Sequence, residues 1–116
     1  MNLVRFDTVC KRFPGATLSI QWGGSHVYKV GAKMFALGNR KDGVSYFVFK
    51  TTPIACEMLL DQGTATRAPH LPRGGWVKIG DPGALPDGDL ADYLEQSYRI
   101  VAASLPKLMR KSLGLS

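Results

Sequence analysis

The residues best suited to chemistry in this chain are few and scattered. His26 and His70 stand far apart, in neither a His-x-x-x-His nor a His-Glu-x-x-His pattern, so no helix-borne zinc site is spelled out. Both read as surface or hydrogen-bonded side chains. Cys10 and Cys56 lack Cys-x-x-Cys spacing and each falls in an apolar periodic run, which predicts buried, reduced thiols. No Gly-x-Ser-x-Gly elbow exposes a serine, and the glycines at 38 and 43 enclose the wrong residues for a phosphate loop. The expectation is a protein that is not an enzyme, with no catalytic residue, no metal and no cofactor.

Binding chemistry is better represented. Arg40 and Lys41 sit between Gly38 and Gly43, where a loop is predicted, and Lys50, Arg73 and Lys78 follow at the ends or faces of predicted strands. Basic side chains so placed could contact phosphate and position a protein on duplex DNA, with little sequence preference, since no recognition helix is evident. A second arrangement uses Trp22, Lys50, Trp76 and Tyr98 as a pocket for a small anion or a protein partner. The charge pattern favours a polyanion. Residues 1 to 80 carry eleven Lys or Arg against four Asp or Glu, residues 81 to 98 carry five acids and no base, and the remainder carries four bases, for a net charge of +6.

The elements that must position these groups follow from periodicity. Leu3, Phe6, Cys10 and Phe13 form one face of a first helix, which Pro14 and Gly15 end. Residues 16 to 21 make a weak strand, and Trp22 with Gly23 and Gly24 marks a turn, the tryptophan reading as a core or sheet-edge aromatic. His26 to Val30, Lys33 to Leu37 and Val44 to Lys50 are the clearest strands, an antiparallel meander with a tight turn at Gly31-Ala32 and a longer loop from Gly38 to Gly43. The last of the three is apolar on both faces, as a central strand would be. Thr52-Pro53 starts a helix that Gly63 stops. Trp76 to Ile79 is a further strand, with Trp76 expected to be buried between the sheet and a helix capped by Asp87, whose inward stripe is Leu90, Leu94, Tyr98, Val101 and Leu105. Pro106 interrupts that helix before a short basic end. The pattern predicts one α+β domain over residues 1–116, an antiparallel sheet with helices packed on it.

The start Met-Asn-Leu-Val-Arg lacks the layout of a signal peptide, and no apolar run approaches the ~18 residues of a membrane span, so a bacterial cytoplasmic protein with no membrane partner is expected. Oligomeric state has no signal in the sequence.

Taken in order, several short pieces resemble the MmcQ/YjbR family over nearly the whole chain. They are Phe13-Pro14-Gly15, Trp22, the hairpin from Lys29 to Leu37, Phe49-Lys50, the Thr52-Pro53 helix, Arg67 to Leu71 ahead of Trp76-Val77, Leu85-Pro86-Asp87, and Ser97-Tyr98. The resemblance implies a compact α+β, double-wing fold and, as a role proposed for such proteins, DNA binding. The hairpin around Gly38 to Gly43 would be one wing and the segment from Arg67 to Lys78 part of another. Members commonly carry a histidine immediately before the tryptophan; Gly75 stands there in this chain.

Overall fold

The elements are α1 (Leu3–Lys11), β1 (Thr17–Gln21), β2 (Ser25–Val30), β3 (Lys33–Lys41), β4 (Val44–Lys50), α2 (Pro53–Asp61), β5 (Thr66–Arg67), β6 (Trp76–Ile79), α3 (Asp87–Ala103) and α4 (Lys107–Ser112). They come from a computed structural model that describes residues 1–71 and 73–115. The strands form one antiparallel sheet in the order β1-β2-β3-β4-β6-β5, with α1 and α3 packed on one face, an α+β fold as the periodicity predicts.

Register decides which side chains meet the helices. Residues paired across strands share a face, so His26, Gly38, Phe47 and Ile79 form one row and Tyr28, Ala36, Phe49 and Val77 the next. Both rows face α1 and α3. Phe6 stacks on Phe47 with ring centroids 5.1 Å apart and meets Tyr28 edge-on at 5.5 Å, while Phe49 stacks on Tyr93 of α3 at 5.7 Å. Leu90, Leu94, Tyr98 and Val101 are buried against them, the stripe read from the helical period.

Glycine makes the α1 contact close. A Cβ on Gly38 would lie 2.7 Å from two ring carbons of Phe6, so the helix can approach β3 here only because the side chain is missing. Gly38 is therefore a strand residue, and the predicted Gly38–Gly43 loop is corrected. β3 continues to Lys41, and only Asp42 (φ 53°) and Gly43 (φ 78°) turn the chain. Gly31 and Ala32 repeat that geometry at φ 55° and 66°, as expected for a two-residue hairpin.

A bulge between Tyr28 and Lys29 shifts the β2–β3 register, and the backbone beside it is completed from α3. The fully buried Ser97 hydroxyl donates to the Phe35 carbonyl at 2.5 Å and accepts from the Lys50 N–H at 2.8 Å. It thus joins β3 to β4 beyond the last paired residues. The α2 start is as predicted, with Thr52 accepting from the Ala55 N–H at 3.2 Å and Pro53 in the first turn.

Two other expectations are corrected. Asp87 does not cap α3; Pro86 occupies that position, and the Asp87 carboxylate lies 2.9 Å from the Met1 ammonium, which holds it below the usual carboxylate range chiefly through their hydrogen bond. Trp76 is not between the sheet and α3. Its neighbours Val77 and Ile79 take the covered positions, so Trp76 points to the other face and is half-buried.

Candidate functional site

No helix of α1 or α3 lies on the second face of the sheet, here termed the outer face. The strand alternation places Lys29, Lys41, Lys50 and Lys78 there, with Tyr46 and Trp76 among them. No strand contains an Asp or Glu; all nine acids lie on helices, turns or loops. Among the described residues, none of these four lysines belongs to an ion pair.

Two of the ammonium groups are guided by aromatic rings instead. Lys78 Nζ lies 4.5 Å from the Tyr46 ring centroid, and Lys50 Nζ lies 6.0 Å from that of Trp76. The first contact follows from register, since Lys78 pairs with Val48 and Tyr46 is the next residue on the same face of β4. A cation over a ring keeps its charge available to an anion while its stem is held down.

A groove of about 590 Å³ runs over this face. Met34, Leu37, Tyr46, Val48 and Lys78 belong to its sheet floor, Trp22 borders it from the β1–β2 turn, and the segment Pro69–Leu71 folds back to border it from the opposite side. Trp22 is 68% exposed with φ 46°, so of its two expected places, core or sheet edge, it takes the sheet edge. Ser25 also borders the groove, but its hydroxyl is engaged, donating to the Trp22 carbonyl at 3.2 Å and accepting from Asn39 at 2.9 Å.

The other candidate residues separate. Arg40 and Lys41 occupy successive strand positions and so point to opposite faces; only Lys41 shares the outer face. Arg73 is exposed in the loop between β5 and β6. The four-residue pocket is not formed. Trp22 borders the groove, Lys50 lines a separate cavity of about 520 Å³ with Arg67, Gly74 and Gly75, and Tyr98 is in the core, its hydroxyl donating to the Pro14 carbonyl at 2.5 Å. Burial pushes the Tyr98 phenol above its ordinary range. Lys29 and Tyr46 were missed, although counting back in twos from Lys50 already puts Tyr46 on the lysine's face.

His26 and the thiols lie elsewhere. Asp7 of α1 accepts from the Tyr28 hydroxyl at 2.7 Å and meets His26 Nδ1 at 2.9 Å, tying the helix to β2. Burial, then the hydrogen bond to Asp7, pushes the Tyr28 phenol up. Burial likewise pushes the Cys10 thiol up, with Asp7 adding to it. Both cysteines are buried and unpaired with each other, whereas His70, exposed, borders the outer-face groove within Pro69–Leu71.

A YjbR family model matches residues 11–100. The chain belongs to the YjbR family. It is 29% identical over 116 residues to the uncharacterized protein YjbR of Escherichia coli strain K12, covering 97% of this chain and 98% of the relative, and equally so to YjbR of Escherichia coli O157:H7. A crystal structure of a Deinococcus radiodurans protein with a DUF419 domain superposes with a TM-score of 0.84 at 26% identity, over 96% of this chain and 86% of that one. The fold is shared with a Pseudomonas syringae protein of known structure, at a TM-score of 0.71 and 17% identity over 87% of this chain and 99% of that one. The position before the tryptophan has a backbone that excludes a side chain here. Gly75 adopts φ 75°, its Cβ would collide with the Thr51 carbonyl oxygen, and its own carbonyl accepts from the Thr51 N–H at 2.9 Å and hydroxyl at 2.8 Å. Among the described residues no helix is long and apolar enough to cross a membrane.

Proposed function

We propose that this YjbR-family protein is a non-enzymatic DNA-binding protein of the cytoplasm, contacting the phosphate backbone through the outer face of its sheet with little sequence preference. The observation that carries the reading is the set of four lysines on a face whose strands hold no carboxylate. Such a face attracts phosphates and has no like charge to repel them. Contacts to phosphate position a protein without reading sequence, and the apolar groove between the lysines supplies few groups for base edges. The reading moves the contact from the hairpin tips to the surface between them.

Titration with mixed-sequence DNA at several salt concentrations tests this. Log affinity should fall with log salt, and Lys50→Ala with Lys78→Ala should reduce the slope by up to about 2 units on duplex DNA. Replacing Lys11 and Arg12 with Ala, on the helical side, should leave the slope nearly unchanged. A parent protein with no salt-dependent affinity for DNA, duplex or single-stranded, would end the proposal.

The open cavity lined by Lys50 and Arg67 supports a second reading, a site for a small anion, because two cations border it against the single carboxylate of Glu57. Inorganic phosphate should then raise the Tm in proportion to its occupancy, and Arg67→Ala should remove that effect. A Tm unmoved by phosphate would dismiss it.

A further inference from the structure

Duplex DNA offers a protein its phosphates and the edges of stacked pairs, but the outer face has one feature that neither would use. Between the lysines lies the apolar groove of about 590 Å³, bordered by an exposed tryptophan. It crosses the sheet from the β1–β2 turn to β6, about 14 Å at the usual spacing of neighbouring strands. We propose that this groove receives an unpaired base, and that the outer face binds single-stranded nucleic acid in preference to duplex. The inference rests on the DNA-binding reading above and names the form of ligand that the same face would take.

Three observations support it. Trp22 presents an aromatic ring at the groove's border, 68% exposed, and every unpaired base has a π-face to lay on such a ring. Tyr46 supplies a second ring in the floor, with the Lys78 ammonium 4.5 Å from its centroid, so an apolar surface and a phosphate partner adjoin. Apart from the exposed His70 imidazole at the groove's border, the polar groups that could read a base edge are mostly absent or engaged. The Ser25 hydroxyl has both a donor and an acceptor within the protein, and Met34, Leu37 and Val48 are apolar. Recognition by stacking without edge hydrogen bonds tolerates any base, in keeping with low sequence preference. Flanking phosphates would meet Lys78 on one side of the groove and Lys41 or Lys50 further along the face. A stacked duplex cannot insert a base here without first unpairing it, which costs a few kcal/mol and favours the strand already single.

Fluorescence anisotropy with three labelled probes of equal length distinguishes the outcomes: a thymidine oligonucleotide, a mixed-sequence duplex, and an abasic single strand with the same phosphates. The thymidine strand should bind at least about tenfold more tightly than the abasic strand. Trp22→Ala should weaken the thymidine strand by about fivefold to a hundredfold and leave the abasic strand nearly unchanged. Tyr46→Leu, which keeps apolar bulk and removes the ring, should act in the same direction, and a parental melting temperature for either variant shows the fold intact. Equal binding of thymidine and abasic strands, or indifference of the thymidine strand to both substitutions, overturns the base-binding groove. If the duplex nevertheless binds with a salt slope that Lys50→Ala and Lys78→Ala reduce, the phosphate-binding face survives alone. If no probe binds, both readings fall.

Discussion

At the scale of single residues, exposure and size part company at β6. Trp76 is the largest side chain of the strand and looks from the sequence like a core residue, because large aromatics are usually buried. Alternation divides Trp76 and Lys78 from Val77 and Ile79, but it does not say which pair the helix covers. The register answers that, and the stability order should follow it. Ile79→Ala empties a site that is fully buried and should cost about 2 to 5 kcal/mol. Trp76→Ala removes a half-buried ring from the outer face and should cost only about 1 to 2 kcal/mol, the smaller loss from the larger deletion. Urea unfolding of the two variants checks the order; the reverse would put Trp76 in the core. The burial of Cys10 was legible from helical spacing, and its consequence is a pH dependence. Its thiol is held above the ordinary value near 8.5 in the folded protein, while the unfolded chain ionises normally. The contribution is therefore complete below about pH 8 and is lost as pH rises, when the unfolded state releases a proton that the folded state keeps. Between pH 8 and 9.5 the parent should lose about 1 kcal/mol more than Cys10→Ala does. Equal losses would mean that the thiol titrates freely in the native protein.

Elements with strong local chemistry were readable and those made by packing were not. Thr52-Pro53 and Gly63 set α2 at both ends by hydrogen bonding and backbone geometry alone, without help from distant residues. β5, by contrast, is two residues long and too short to show a period. Gly38 was misread because glycine punctuates turns more often than it clears space, and only the position of Phe6 reveals which task it has. That correction changes what the β3–β4 hairpin can do. Arg40 and Lys41, adjacent on a strand, face opposite ways, so they should not act as a pair. Lys41→Ala should weaken DNA binding and lower the salt slope by up to about 1 unit, and Arg40→Ala should do distinctly less. Both variants should stay within about 0.5 kcal/mol of the parent in stability, since both side chains are exposed. An equal effect of the two on affinity would show that the ligand wraps the hairpin tip and does not lie across the outer face.

Over the whole molecule, acids are kept out of the strands in a way that the linear sequence only hints at. The acidic run from Asp81 to Glu95 was visible as a composition shift, but the lysines of the outer face come from four strands and were separable from Arg40 only once those strands were paired. The groove was invisible for the same reason: Trp22, Tyr46 and Pro69 belong to distant segments that register and a folded-back loop bring together. The two layers are also joined by one hydroxyl. Ser97 reaches from α3 into the sheet and satisfies a donor of β4 and an acceptor of β3 together. Its removal in Ser97→Ala leaves two backbone groups without those partners and should cost about 1 to 3 kcal/mol. In the parent, the Lys50 amide can exchange its proton with solvent only after that hydroxyl has withdrawn, so its deuterium uptake becomes a clock for the departure of α3 from the sheet. A ligand held on the opposite face, drawing Lys50 toward its phosphates, would register at the same amide, and one backbone proton would report on both sides of the protein.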